Sequence, residues 1–158
     1  MRVALAADHA GYSLKQALLG ALRARGYDVL DLGAHDAAPS DYSDYAVAVA
    51  RALAAGDAER AVVVCGSGVG VAAAANKLPG VIAGTCHDTY SAHQGVEHDA
   101  MNVLALGARV VGEALALELA LAFLGARFDG APRHLRRVEK LRALEAGWAP
   151  PAGARRER

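Results

Sequence analysis

"VVVCGSGVGVAAAANK", residues 62–77, changes character twice in sixteen residues. A run of Val ends in a single Cys. Three glycines follow at alternate positions, Gly66, Gly68 and Gly70, and then an Ala run begins. The pattern is that of a buried strand, a permissive turn and a helix. The same alternation recurs on both sides. "RVALAAD" (2–8) reads as a strand and "YSLKQALLGALRARG" (12–26) as an amphipathic helix stopped by Gly26. "YDVLDLG" (27–33) is the next strand, and 41–56 a helix that opens on acidic residues and ends on Gly56. Strand 60–65 and helix 68–77 come from the opening stretch itself. Strand 80–86, helix 88–99, strand 102–111 and helix 113–126 complete the series.

Five strand–helix alternations with short connections predict an α/β fold. The expected form is a Rossmann-like three-layer α/β/α sandwich around a five-stranded parallel sheet. Ligands of such sheets bind beyond the carboxyl ends of the strands. One extra helix, 133–147, follows the last unit. It is basic early and carries Val138, Leu141 and Leu144 at helical spacing, so it is expected to pack across to a partner subunit. The expected layout is a single domain over 1–148 and a disordered Pro-, Gly- and Arg-rich tail over 149–158.

The chain has 158 residues, 54% hydrophobic and 22% charged, enough to bury a proper core. Its formal net charge is zero, which excludes a global basic field for nucleic acid; any anion site must be local. Two cysteines, Cys65 and Cys86, each beside an apolar run, are no disulfide framework. The start is not read as a signal peptide, because Asp8 and His9 interrupt its short apolar run. No apolar stretch reaches membrane-spanning length. A soluble, cytoplasmic protein is expected, with no nucleic-acid or membrane partner.

Four clusters fall at the expected carboxyl edge: Asp8-His9, the Cys65 loop, His87-Asp88, and Arg109 within or just after strand five. His98-Asp99 closes a helix, so its place depends on folding. The Gly loop is not a P-loop, because Val71 stands where Lys-Ser or Lys-Thr is needed after the last Gly. It is not a dinucleotide fingerprint either: it reads GxGxG and follows the third strand, not the first. An oxyanion cradle remains, built of backbone N–H groups from Gly66, Ser67, Gly68, Val69 and Gly70 and a helix N-terminus. Cys65 then stands where a thiolate is favoured, as a base or nucleophile; the plain alternative is a small buried Cys at a strand end. Cys86 keeps that plain reading. Asp8 and His9 can orient a hydroxyl or a phosphate, or form only a turn with a surface His. Tyr42 can line the cleft or pack. His87 and His93 read as surface or packing residues, and no metal site is expected. Arg133, His134, Arg136 and Arg137 form either a phosphate clamp, with 133 and 137 on one helical face, or a solvated basic face.

"AADHAGYSLK", "DYSDYA", "CGSGVGVAAAANK", "HDAMNVLALGARVVG" and "RHLRRV" together resemble the ribose-5-phosphate isomerase B family, which includes galactose-6-phosphate isomerase subunits. The resemblance runs from about residue 2 to residue 145. It implies aldose–ketose isomerisation of a phosphorylated sugar through an enediolate, with ribose 5-phosphate the leading substrate and no metal or organic cofactor. By the same resemblance, Cys65 is the base that moves a proton between C1 and C2, and the Gly66–Gly70 loop with the Ser67 hydroxyl holds the enediolate. His98 opens the furanose ring. Asp8 and His9 bind sugar oxygens, and Arg109, Arg133 and Arg137 contact phosphate, with Tyr42 and His134 beside them. The family is dimeric or tetrameric, with its site at the subunit interface. One branch uses a Glu shortly after the Gly loop in place of the Cys; Val71 here places the chain in the Cys branch. Many members carry Asn after the ring-opening His, whereas this chain carries Asp99. An amide donates to an anionic enediolate and a carboxylate cannot. Asp99 therefore turns away, or contributes its backbone N–H, or marks a different substrate. Other tetrose, pentose or hexose phosphates stay open, as do a nucleotide-binding module and a sugar-phosphate binder without turnover.

Overall fold

The computed structural model describes residues 1–147. The expected tail, 149–158, and Trp148 lie outside the described residues. Five parallel strands form one sheet: β1 (Arg2–Ala7), β2 (Asp28–Asp31), β3 (Arg60–Cys65), β4 (Ala83–Thr85) and β5 (Val103–Gly107). The helices are α1 (Tyr12–Ala24), α2 (Tyr42–Ala55), α3 (Val69–Ala75), α4 (Thr89–Asp99), α5 (Glu113–Gly125) and α6 (Pro132–Gly147). The strand order is β2-β1-β3-β5-β4. The chain leaves β1 toward β2 and leaves β3 toward the other side, so the direction of winding reverses between β1 and β3. That is the topological switch point, where the carboxyl ends of two strands open a crevice.

Side-chain size along the strands separates the two layers. Val3, Leu5, Val62, Val64, Leu104 and Leu106 face α1, α4 and α5. Ala4, Ala6, Ala61, Val63 and Ala105 face α2 and α3. The smaller residues on that face let α2 and α3 lie close to the sheet. Each Val or Leu buried this way contributes about 1.5–3 kcal/mol of transfer free energy. Gly11 shows how tight the crevice is. A Cβ there would stand 2.5 Å from the Val64 carbonyl oxygen, so any side chain would push α1 off β3.

Several elements are shorter than the sequence pattern predicts, β4 and β5 most of all. β4 spans three residues instead of 80–86. It is an edge strand, and its approach is held by a side chain: Asn102 Oδ1 accepts the Ile82 N–H and its Nδ2 donates to the Gly80 carbonyl. β5 ends at Gly107 instead of 111, because the chain turns there with the Val110 N–H on the Gly107 carbonyl. Arg109 therefore lies just after the strand.

Two cations, one half-buried and one fully buried, tie the layers together. Arg60 donates to the Phe123 carbonyl and, at 2.7 Å, to the Ala126 carbonyl, closing the end of α5 and fixing the connection to α6. Lys15 is fully buried and its Nζ lies 2.7 Å from Asp31 Oδ1. Burial alone would push the Asp31 carboxyl up. Hydrogen bonds from Lys15 and the Gly33 N–H, with the charge of Lys15, hold it below the usual carboxylate range instead. A depressed carboxyl stabilises the fold above its unfolded value, about 3.9, and that stability is lost as pH falls through the folded value. Asp31→Ala leaves an uncompensated buried ammonium, so urea unfolding should show a loss of about 3–5 kcal/mol. A loss below about 1 kcal/mol would mean that water reaches Lys15 in the folded state.

Candidate functional site

The crevice between β1 and β3 holds the opening stretch of sequence. Cys65 ends β3 and is 4% exposed. Its Sγ accepts the Gly68 N–H at 3.2 Å, so the loop curls back over the sulfur and aims a donor at it. Gly68 makes that curl with φ of +81°, where an L side chain is strained. A Cβ on Gly68 would also stand 3.0 Å from the Leu106 carbonyl carbon. Ser67 and Val69 are exposed at the mouth, and the Ser67 Oγ accepts the Val69 N–H at 3.3 Å. α3 starts at Val69, and by helix geometry its first N–H groups lack intrahelical acceptors.

Four further side chains named from the sequence surround this loop. Asp8, buried, follows β1 and accepts the Gly11 N–H at 3.0 Å on Oδ1. His9, exposed, has its Nδ1 3.2 Å from the Ser40 N and 3.0 Å from the Ser40 carbonyl oxygen, which fixes the ring. The Tyr42 ring covers Gly70, its Cζ 3.0 Å from where a Cβ would be. The Arg109 guanidinium lies over Gly66, its Cζ 3.5 Å from the corresponding point. The Arg109 N–H donates to the Gly66 carbonyl, which locks the two turns together.

Two residues brace this arrangement that the sequence did not single out for it. Thr85 Oγ1 donates to the Gly68 carbonyl at 3.1 Å. His87, expected to be surface or packing, accepts the Gly107 N–H on Nε2 at 3.3 Å. Both sit at the end of β4, and their position there was the available signal.

The remaining named residues gather at the opposite edge of the sheet. α4 leaves the carboxyl edge at Thr89 and has 11 residues, about 16 Å of helix, before Asp99. β5 restarts at Val103, so His98 and Asp99 lie by the amino ends of the strands. α5 runs the same way, which brings the start of α6 to the same end. There the His98 and His134 rings stack at 4.0 Å. His134 is buried; Asp129 lies 2.9 Å from its Nδ1, and Arg133 Nε donates to its Nε2 at 3.0 Å. An imidazole that donates to a carboxylate and accepts from a guanidinium is neutral. The Ala131 N–H first, and then His134, hold the Asp129 carboxyl below its usual range. Arg133 and Arg137 are exposed one turn apart on α6. His98, Asp129 and His134 bring ligand-type atoms within 4.8 Å of one another. Both His134 nitrogens are already engaged, so a metal ion would have to displace Arg133 or Asp129.

The named residues thus fall into two groups. Asp8, His9, Tyr42, Cys65–Gly70 and Arg109 lie at one edge. His98, Asp99, Arg133, His134 and Arg137 lie at the other. Within one chain they do not meet. A cavity of about 740 Å³ beneath the far half of α6 contains none of them, and its Asn76 and Asn102 amides are spent on backbone. Exposed Leu135, Leu141 and Leu144 give α6 an uncovered apolar side. No described helix is long and apolar enough to cross a membrane.

Comparison with known proteins fits this geometry. The family model described as Ribose/Galactose Isomerase matches residues 3–141. The chain is 42% identical over 144 residues to ribose-5-phosphate isomerase B of Escherichia coli K12, covering 91% of this chain and 96% of that one. It is 38% identical over 148 residues to D-erythrulose-4-phosphate isomerase 2 of Mycolicibacterium smegmatis, covering 92% and 97%. It superposes on the structure of Clostridium thermocellum ribose-5-phosphate isomerase B with a TM-score of 0.90 and 42% identity, covering 92% and 98%. With a family model spanning most of its length and relatives matched almost end to end, this chain belongs to the ribose/galactose isomerase family.

Proposed function

We propose that the chain interconverts the aldose and ketose forms of a phosphorylated sugar, ribose 5-phosphate and ribulose 5-phosphate first among them, at a site assembled from two subunits. The observation that carries this is the Cys65 sulfur at the switch point under the Gly68 N–H, with Asp8 and Arg109 beside it. The relatives' names support the substrate class: one carries ribose 5-phosphate and another D-erythrulose 4-phosphate. The enzyme acts in the cytoplasm on free sugar phosphate as a homodimer or homotetramer, with no nucleic-acid or membrane partner.

Removing the C2 proton of an aldose builds negative charge on O1. Cys65, as thiolate, takes that proton and returns it to C1, while the O2 hydroxyl proton passes to O1 to complete the ketose. The Gly66–Gly70 backbone and the Ser67 hydroxyl stabilise the enediolate, with roughly 3–4 kcal/mol from each essential donor. Asp8 Oδ2 and His9 hold sugar hydroxyls, and Tyr42 closes one wall. His98 of a second subunit opens the furanose ring. Arg109, with Arg133 and Arg137 of that subunit, holds the phosphate, a role that suits their exposure.

The test is turnover of ribose 5-phosphate against free ribose and erythrose 4-phosphate. Ribose 5-phosphate should be turned over, and ribose should lose most of kcat/KM. Arg137→Ala should act on KM more than on kcat, because phosphate is held alike in ground and transition states. Equal efficiency on ribose and its phosphate would remove the clamp. Binding of sugar phosphate without turnover would remove the isomerase reading.

A further inference from the structure

Asp99 stands where many members carry an amide, and the structure shows what it faces. Gln94 lies one turn earlier on α4, and its Nε2 is 2.9 Å from His98 Nδ1 and 3.4 Å from Asp99 Oδ2. A carboxamide NH₂ has two hydrogens. One reaches the His98 ring nitrogen and the other the carboxylate. An amide turned end for end would set its oxygen against the Asp99 carboxylate, so Asp99 selects the orientation that donates to His98. Nδ1 must then be an acceptor, and a neutral His98 carries its proton on Nε2. The other groups around the ring leave that outcome in place. His134 stacks on it and is neutral, Asp129 bonds to His134, and Arg133 also points at His134.

We infer that Gln94 and Asp99 form a lock that holds His98 as the neutral Nε2–H tautomer, presenting a fixed hydrogen-bond donor to the ring oxygen of a cyclic substrate. Asp99 on this account does not touch the enediolate. It is a positioning residue that acts through Gln94, as Gln94 acts through His98. The inference rests on the ring-opening role proposed above for His98. It adds which nitrogen faces the sugar and which side chains decide that.

The experiment reads the tautomer and the catalysis separately. In ¹⁵N-labelled protein, long-range ¹H–¹⁵N correlations of His98, assigned by their loss in His98→Asn, should show Nε2–H in the wild type. Gln94→Leu should give a mixture of tautomers. Gln94→Glu, of the same shape, should invert the preference, because a carboxylate accepts from Nδ1–H; it should also favour the imidazolium and move the ring's titration upward. Asp99→Asn should move the tautomer toward the mixture. In kinetics, Gln94→Leu should slow ribose 5-phosphate roughly tenfold more than erythrose 4-phosphate, which cannot close to a furanose. Gln94→Asn should behave like Gln94→Leu, since the shorter amide does not span both His98 and Asp99. An Nδ1–H wild type, or one tautomer in all variants, overturns the lock. A tautomer that shifts as stated while both substrates slow equally overturns the ring-opening role of His98 and leaves the lock with no catalytic consequence.

Discussion

Cys65→Ala should lose roughly 10²- to 10⁴-fold in kcat, the range a positioned general base supplies, while the protein still folds and still binds sugar phosphate. The other thiol, Cys86, follows β4 at the same edge but is buried in the opposite layer, and burial first, then Asp88, raise its pKa. Removing the Cys65 sulfur deletes the acceptor of the Gly68 N–H and little else, since the loop is also held by Thr85 and by the Arg109 turn. The sulfur is not among the proposed phosphate ligands Arg109, Arg133 and Arg137, so KM or the affinity for a non-reacting sugar phosphate should move much less than kcat. Solvent isotope adds a second reading. A base that carries a proton between C1 and C2 exchanges some of it, so wild-type turnover in D₂O should place deuterium in the product. A direct hydride shift would place none. Turnover of Cys65→Ala within tenfold of wild type would falsify the base assignment whatever the isotope result. Asp8, the nearest other buried acid, would then be the first candidate.

The fold was legible because the chain repeats one short rule, apolar strand then amphipathic helix, and each helix ends at a glycine or turn. The strand order was not. It depends on which faces pack, and the choice between Leu-rich and Ala-rich strand faces shows its meaning only once the layers are known. β4 was overread because Val81 and Ile82 look like strand residues, yet the Asn102 side chain replaces the ladder there. The Cys65 loop was legible from its glycines, since a turn that presses backbone against Leu106 and Tyr42 cannot carry side chains. Asp129 and Gln94 were not legible. Each matters only through a histidine that it orients, and no spacing in the chain advertises a hydrogen bond between Asp129 in a connector and His134 on the next helix. The resemblance to a family named the candidate residues and an interface site. It did not say which of them one chain keeps at which edge of the sheet.

That separation makes the largest qualitative prediction. Co-expression of Cys65→Ala with His98→Asn/Arg137→Ala should restore activity that neither variant has alone. If a site takes its thiolate from one subunit and its imidazole and guanidinium from the next, each pure variant spoils every site. A mixed pair spoils one site twice and leaves the other whole. Random pairing makes half of the pairs mixed, each with one intact site of two, so about one quarter of wild-type activity should return. If instead each chain used its own residues from both edges, no mixed pair would contain an intact site, and co-expression would give nothing. The geometry favours the first outcome. Eleven residues of α4 separate the edges, and the helix is packed along that length by buried Ala92 and Val96, so it cannot bend back on itself. The surface such pairing needs is already present. Leu135, Leu141 and Leu144 are exposed along α6, and Tyr42, Val69 and Val110 are exposed around the Cys65 loop. Exposed apolar side chains clustered at both groups are what a subunit contact would cover. Light scattering at micromolar concentration should therefore give a dimer or larger assembly. A stable monomer that turns over ribose 5-phosphate would refute the composite site directly.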